Sequence, residues 1–193
     1  MSNLLTEKGR NMLQTMSTLI RYNNKVHFHQ ENVAEHSYYV SLYTMLICKE
    51  LRLAHPTTYV AMKMALIHDV HEVLISDIPH NVKKMLPEIN DACKKFEEVF
   101  NMQNFGEEVN EFVNLNKKEQ NIINLVVNIA DVLSVLQYAG HEIDRENYDF
   151  FEVHQNAEVR ITDDLENLKN YVDEHLVKSL KNTIFKQFAG PDR

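Results

Sequence analysis

Residues 117–139 read KKEQNIINLVVNIADVLSVLQYA, and this stretch decides the fold. Its apolar side chains recur on nearly every face of a helix, a pattern typical of a helix at the centre of a domain. Asp131 lies inside this stretch with apolar neighbours on both sides. Because an unpaired carboxylate is costly to remove from water, such a group is neutralised, hydrogen-bonded or bound to a metal. The sequence therefore predicts a central helix that carries an unusual acid.

The rest of the chain also shows helical spacing. Only four Gly and four Pro occur in 193 residues, too few turn signals for a many-stranded β fold. Asn32 is a suitable cap, and Pro56, Pro79 and Gly140 mark two helix starts and a stop. We predict an all-α helical bundle forming a single domain over residues 1–193, with C-terminal helices over about 141–187. The predicted helices cover 4–20, 32–53, 57–70, 79–85, 88–102, 117–139, about 142–155 and 157–187, whereas 107–116 is weakly patterned.

Charge and composition exclude several classes of protein. The formal net charge of -8 gives no broad basic surface for duplex nucleic acid, so an anionic substrate needs a local positive field. Cys48 and Cys93 form neither a disulfide framework nor a CxxC metal motif. The apolar stretches are broken well short of the roughly 18 residues of a membrane span, and no signal peptide is visible. We expect a cytoplasmic protein with no membrane partner.

Three further residues share the character of metal ligands with Asp131. His68 and Asp69 are adjacent in the run ALIHDVHE at 65–72, and His36 lies in NVAEHS at 32–37. Each residue alone has an ordinary alternative, such as a partly buried histidine or a hydrogen-bonded core acid. Together they predict a mononuclear site in which two imidazoles and two carboxylates hold Co²⁺, Mn²⁺ or Zn²⁺ rather than Mg²⁺. Such a site is typical of a metal-dependent hydrolase.

The order of the motifs resembles the HD-domain phosphohydrolase superfamily, whose pattern is a His, then His-Asp, then a distant Asp. The bacterial 5'-deoxynucleotidase branch is the most similar, over about residues 10–140. The resemblance implies an all-α HD fold, removal of the 5'-phosphate from deoxynucleoside monophosphates, and a homodimer or higher homo-oligomer. The motifs that carry it are Arg21-Tyr22, ENVAEHS at 31–37, HDVHEV at 68–73, Asp77-Ile78-Pro79 followed by Val82-Lys83, and Ala130-Asp131.

The same resemblance implies a role for each site residue. One divalent transition metal would be held by His36, His68, Asp69 and Asp131. Glu72 and Asp77 would act at the reacting phosphate as catalytic acids or bases, and Arg21 and Lys83 would bind it. The alternatives are a solvated helix-end acid for Glu72, a turn residue for Asp77, and solvent-facing cations for Arg21 and for one of Lys83 and Lys84.

Position 22 departs from the family pattern. The branch usually places a Trp directly after the Arg, where it contacts the sugar and disfavours a 2'-hydroxyl. This chain has no Trp, and Tyr22 takes that place. Tyr22 is therefore a candidate substrate-binding residue whose hydroxyl leaves the choice between ribose and deoxyribose open.

Four functions compete for this pattern. The first is a 5'-deoxynucleotidase, and the second an HD-domain triphosphohydrolase of a deoxynucleoside triphosphate such as dATP. The third, a guanosine tetraphosphate hydrolase, is disfavoured because that branch has Glu-Asp where this chain has Glu72-Val73. The fourth is a catalytically silent HD module that senses nucleotides, which loss of a ligand or of Glu72 would favour. All of these residues are present, so a phosphohydrolase is the better interpretation.

Overall fold

The computed structural model describes residues 7–188, apart from the side chains of Lys8, His80 and Asn81. Within these residues the isolated β-type pairing is a single antiparallel bridge between Ile20 and Asn32, and no strand is formed. The all-α prediction is confirmed. The helices are α1 Glu7–Met16, α2 Val33–Glu50, α3 His55–Ile67, α4 Glu72–Ile75, α5 His80–Met85, α6 Pro87–Asn104, α7 Gly106–Val113, α8 Lys117–Ile143, α9 Phe151–Leu168 and α10 Glu174–Phe188, with a 3-10 helix at Tyr148–Phe150 before α9.

Short polar signals start the two helices that matter most for the site. The Asn32 side-chain oxygen accepts the Glu35 backbone N–H at 2.9 Å, as predicted, and caps α2. The Asn116 side chain accepts the Glu119 N–H at 3.0 Å and caps α8 in the same way. Each cap satisfies a backbone donor that the first turn leaves unpaired, which fixes where the helix begins.

Helix α8 is the centre of the bundle, and α2, α3 and α9 pack around it. Its apolar residues form one buried cluster with those of the neighbouring helices, and Asp131, whose side chain is 28% exposed, lies at the edge of that core. The fully buried members of this cluster include Val40, Ala61, Ala65, Ile123, Val126, Ile129, Ala130, Val132, Ile161 and Leu165.

Helix α8 also meets the length and composition of a membrane-crossing helix, contrary to the expectation that every apolar stretch is too short. However, 67% of its most apolar window is buried inside the structure. The core helix of a soluble protein passes the same test, so this feature is weak evidence for a membrane span.

The C-terminal boundaries differ from the prediction. The stop at Gly140 is wrong, because α8 continues to Ile143. Burial of Tyr138, Ile143 and Phe150 in one cluster outweighs the roughly 1 kcal/mol that glycine costs in a helix. The predicted break between 155 and 157 is also wrong, since α9 runs through it. The true break follows Leu168, and Asp173 accepts the His175 N–H at 2.7 Å near the start of α10.

Two further helix ends are corrected. Helix α3 ends at Ile67, so His68-Asp69 lies in the turn after the helix rather than in its last turn. At the other end of the chain, α1 ends at Met16 and not at residue 20. Residues 4–6 of the predicted first helix lie outside the described residues.

Candidate metal centre

His36 lies one turn into α2 and is fully buried. Its Nδ1 atom is 3.2 Å from the Ser134 hydroxyl oxygen on α8. This contact turns the Nε2 atom toward two acids, at 3.1 Å from the Asp131 Oδ1 atom and 3.5 Å from the Asp69 Oδ2 atom. The cap at Asn32 therefore sets the first turn of a helix that aims an imidazole at both acids.

His68 and Asp69 occupy the turn that follows α3. The His68 Nδ1 atom lies 2.6 Å from the Ala65 carbonyl oxygen. Because a carbonyl oxygen only accepts hydrogen bonds, Nδ1 carries a proton, and the neutral ring has its lone pair on Nε2. That Nε2 atom is 3.1 Å from the Asp69 Oδ2 atom. The end of the helix thus presents a nitrogen and an oxygen at one point.

The central helix supplies Asp131, which lies beside the residues from α2 and from the turn after α3. Potential ligand atoms of His36, His68 and Asp69 lie within 4.8 Å of one another, and Asp131 joins this group through its contact with His36. Its second carboxylate oxygen faces Arg160 of α9 at 3.9 Å. The structure therefore brings together all four residues that the sequence nominated as ligands; their binding of a metal stays a prediction.

The donor atoms have the arrangement that a divalent cation requires. The His36 and His68 Nε2 atoms are buried and make no hydrogen bond, although carboxylate oxygens lie close to both. In metal sites the second imidazole nitrogen is held by a polar group that fixes the ring, as Ser134 and the Ala65 carbonyl do here. Two imidazole nitrogens and two carboxylates suit Zn²⁺, Mn²⁺ or Co²⁺. The cluster can hold such a metal.

The ionisation of His36 and of the two acids in the cluster favours a cation. Burial, together with the Arg21 charge, lowers the pKa of His36 to about 4, so this ring is neutral near pH 7. Burial by itself raises the pKa of Asp131, but the adjacent His36 outweighs it and the pKa falls to about 2. Burial opposes protonation of His68 as well, yet Asp69 raises its pKa to about 9, so in the metal-free protein this ring carries a proton that a bound metal would displace. Two ionised acids thus face the imidazoles.

Glu72 is the first residue of α4, and the side chain is buried with an unpaired Oε2 atom. Burial, reinforced by the negative charges of Asp69 and Asp77, raises the pKa of Glu72 to about 8. The alternative of a solvated helix-end acid is therefore unsupported. Asp77 accepts the Tyr22 backbone N–H at 3.4 Å, which links the turn after α4 to the loop before α2. The two predicted catalytic carboxylates, Glu72 and Asp77, therefore lie near each other, and Glu72 lies near Asp69.

Arg21 is buried rather than solvent-facing. Its Nη1 atom donates to the Asp69 Oδ2 atom at 3.1 Å, and its Nε atom lies 3.4 Å from the Glu31 Oε2 atom. Burial opposes a charged guanidinium, but the surrounding acids outweigh that effect and raise the Arg21 pKa. The cation therefore stays charged next to the metal-ligand candidates, as phosphate binding at this position requires.

Tyr22 has a positive φ of 53° and packs in an aromatic cluster. Its ring stacks on Tyr138 with centroids 5.5 Å apart and meets Phe150 edge-on at 5.4 Å. The Arg21 guanidinium carbon lies 5.8 Å from the Tyr22 ring centroid. The predicted sugar-contacting residue is thus held rigidly beside the predicted phosphate-binding one.

The structure also distinguishes between the two lysines of α5. Lys83 is partly buried, and its charge acts with that of Arg21 to oppose the rise in the Glu72 pKa. Lys84 is exposed. Lys83 is therefore the one whose charge reaches Glu72, and its binding of phosphate stays a prediction.

Three residues near the centre were given no role by the sequence reasoning. Ser134 holds the His36 ring, and its signal was a hydroxyl inside the most apolar helix. Glu31 lies 3.9 Å from the His36 Nδ1 atom, and burial raises its pKa to about 7 against the Arg21 charge. Arg160 reaches Asp131 from α9, and no local pattern distinguishes it from other exposed arginines.

Solved structures with the same fold include three that cover nearly the whole chain. A HD-domain phosphohydrolase from Listeria innocua has a TM-score of 0.71 at 19% identity, covering 96% of this chain and 90% of its own. The PH0347 protein from Pyrococcus horikoshii OT3 has a TM-score of 0.67 at 22% identity, covering 94% of this chain and 99% of its own. The cyanophage S-2L HD phosphohydrolase DatZ was solved with dA and one catalytic Zn²⁺ ion. It has a TM-score of 0.62 at 17% identity, covering 94% of this chain and 98% of its own.

These similarities establish the HD fold. No curated protein matches the sequence at a significant level. A family model, 5'-deoxynucleotidase YfbR-like, matches residues 10–180, which is most of the chain and extends the predicted 10–140. Together with the ordered His, His-Asp and Asp residues around one buried point, this match shows that the chain belongs to the YfbR-like 5'-deoxynucleotidase family of nucleotide phosphohydrolases.

Proposed function

We propose that the protein is a metal-dependent 5'-nucleotidase that removes phosphate from deoxynucleoside monophosphates. One observation carries the proposal: His36, His68 and Asp69 converge on one point, Asp131 contacts His36 at 3.1 Å, and a buried Glu72 and a buried Arg21 lie next to them. The family match supports a nucleotide as substrate.

His36, His68, Asp69 and Asp131 would hold one Zn²⁺, Mn²⁺ or Co²⁺ ion, which supplies Lewis acidity toward water and phosphate oxygen. Glu72 would be the side chain that transfers a proton during the reaction. With a pKa raised by burial to about 8, its carboxyl group can hold a proton near neutral pH and give it to the leaving 5'-oxygen. Asp77 is close enough for its charge to act on Glu72, and it would share the work at the reacting phosphate.

Arg21 and Lys83 would bind the phosphate, and Tyr22 would contact the sugar. The Arg21 fork already contacts Asp69 at 3.1 Å, so a phosphate held there lies beside the metal ligands. Lys83 adds a second cation from α5 on the side where Glu72 lies. Two local cations suit a monophosphate in a protein whose net charge is -8.

A substrate panel tests the proposal. Phosphate release is measured from dNMPs, NMPs and dNTPs with Co²⁺, Mn²⁺, Zn²⁺ or Mg²⁺. We expect release from dNMPs, faster with the transition metals than with Mg²⁺ because two of the four ligands are imidazoles. Chelation should remove at least about 99% of the activity, and adding the metal back should restore it.

Two outcomes would contradict the proposal. Release of no phosphate with any combination would indicate a silent nucleotide-sensing module. Hydrolysis of dNTPs without dNMPs would indicate the triphosphohydrolase instead. Arg160 favours this second candidate, since its half-exposed guanidinium lies 3.9 Å from Asp131 and would add a third cation for a longer phosphate chain.

A substitution at position 22 tests sugar selection. We expect Tyr22→Trp to raise the ratio of dNMP to NMP kcat/KM by about tenfold, because the larger indole narrows the space for a 2'-hydroxyl and removes the phenol. Tyr22→Phe is the matched variant, since it keeps the ring stacked on Tyr138 and loses only the hydroxyl. An unchanged ratio in both variants would exclude Tyr22 as the sugar-contacting residue.

The assembly and location belong to the same proposal. We propose a single HD domain that forms a homodimer or higher homo-oligomer in the cytoplasm and binds neither duplex nucleic acid nor membrane. Light scattering of the purified full chain measures the oligomeric state directly. A monomer at micromolar concentration would contradict it.

A further inference from the structure

The loop over residues 22–31 carries Tyr22 and follows Arg21, yet it has little regular structure of its own. Its base is closed by the Ile20–Asn32 bridge and by the Arg21 N–H, which donates to the Glu31 carbonyl oxygen at 2.9 Å. Its middle is highly exposed: Val26 is 77% exposed and Phe28 is 67% exposed. Contacts other than core packing must therefore hold the tip.

Two of those contacts come from Glu142 in the last turn of α8, and Lys25 adds another by donating to the Asp149 carbonyl oxygen at 3.0 Å. The glutamate side chain is fully buried and accepts two consecutive backbone N–H groups of the loop, from Phe28 at 2.8 Å and from His29 at 2.9 Å. Asn147 donates to the same carboxylate at 2.7 Å. These three donors are all neutral. A carboxylate buried without water is stabilised only as far as such bonds are complete, so losing one is costly.

Neighbouring groups complete the attachment. The Tyr138 hydroxyl donates to the His29 carbonyl oxygen at 2.6 Å, and the Asn147 side chain donates to the Val26 carbonyl oxygen at 2.9 Å. Tyr138 is also the residue on which the Tyr22 ring stacks. The end of α8 thus binds the tip of the loop and the ring at its start.

We infer that Glu142 is a positioning residue for substrate binding, which fixes the loop that sets Arg21 and Tyr22 in place. This inference rests on the proposed function. The candidate metal ligands are on α2, α8 and the turn after α3, all outside this loop, and its contacts with them are made by Arg21 and Glu31 at its base rather than by its tip. Loss of the Glu142 bonds should therefore weaken substrate binding while metal binding is retained.

The test uses Glu142→Gln in the metal-loaded full chain. The glutamine amide has a single acceptor oxygen, so its NH₂ group meets a backbone N–H and at least one loop bond is lost. We expect KM for a dNMP to rise about tenfold with kcat within about threefold, because binding common to ground and transition state is lost. The affinity for inorganic phosphate should fall similarly, the Phe28 and His29 amides should exchange faster, and the metal content should not change.

Glu152→Gln is the control, since it makes the same change of charge on an exposed residue of α9. Tyr138→Phe is the second variant; it keeps the ring stack, loses the bond to His29, and should shift KM in the same direction by a smaller factor. If Glu142→Gln does not fold, the KM of Tyr138→Phe tests the role of the loop attachment instead.

Wild-type KM and phosphate affinity in both variants would overturn the inference, as would loop amides that stay protected in Glu142→Gln. A wild-type protein that hydrolyses no nucleotide would refute the proposed function instead. The phosphate-affinity and exchange measurements would still decide the role of Glu142.

Discussion

Replacement of Asp69 by alanine is expected to remove the metal and with it the activity. The Asp69 Oδ2 atom is the common neighbour of three groups, at 3.1 Å from His68 Nε2, 3.5 Å from His36 Nε2 and 3.1 Å from Arg21 Nη1. Without this carboxylate, the two imidazoles lose an anionic ligand that would bind the same metal ion. We expect metal content near zero after dialysis, and a fall in kcat/KM of about 10³-fold or more, because the metal contributes several kcal/mol to the transition state.

The measurement is elemental analysis with steady-state kinetics, and thermal unfolding shows whether the variant is folded. Asp91→Ala removes an exposed acid from α6 and should behave as the wild type. If Asp69→Ala unfolds because Arg21 loses its partner, Asp131→Asn makes the same test on the central helix. Stoichiometric metal in a folded variant would contradict the ligand assignment.

Replacement of Glu72 by glutamine is expected to separate turnover from metal binding. The carboxyl group is buried beside the cluster and outside the set of proposed ligands. Glutamine has a similar shape and cannot exchange a proton. We expect kcat to fall by about 10²- to 10⁴-fold, the usual contribution of a general acid or base, with metal content unchanged and KM within a few-fold.

The pH profile gives this prediction a second readout. If Glu72 exchanges a proton with the substrate, one limb of the kcat profile should disappear in Glu72→Gln. Glu88→Gln, in the exposed first turn of α6, is the matched control and should keep the full profile. Wild-type rates in Glu72→Gln would remove this residue from the mechanism.

The sequence predicted the centre of the molecule better than its ends. Asp131 was conspicuous because a carboxylate is rare in so apolar a helix, and His68-Asp69 because two ligand types are adjacent. Their convergence with His36 depends on α2, α3 and α8 packing together, which the apolar faces require. The fold class and the family therefore followed from local patterns.

Partners that meet only in three dimensions were missed. Glu142 has the sequence context of an ordinary helix-end acid, and its function depends on amides more than a hundred residues away in the chain. Arg160 belongs to a helix whose start was misplaced, so its approach to Asp131 could not be foreseen. Gly140 misled because packing of the last turns of α8 outweighs a local preference.

Four functional positions share one face of the central helix: Asp131, Ser134, Tyr138 and Glu142 are three or four residues apart. An α-helix rotates by about 100° per residue, so one inserted or deleted residue between them would swing every later position to another side. The helix therefore fixes the angle about its axis between Asp131, the metal-ligand candidate, and Glu142, which binds the loop. Length changes should be tolerated in the exposed tip of the loop but not along these three turns.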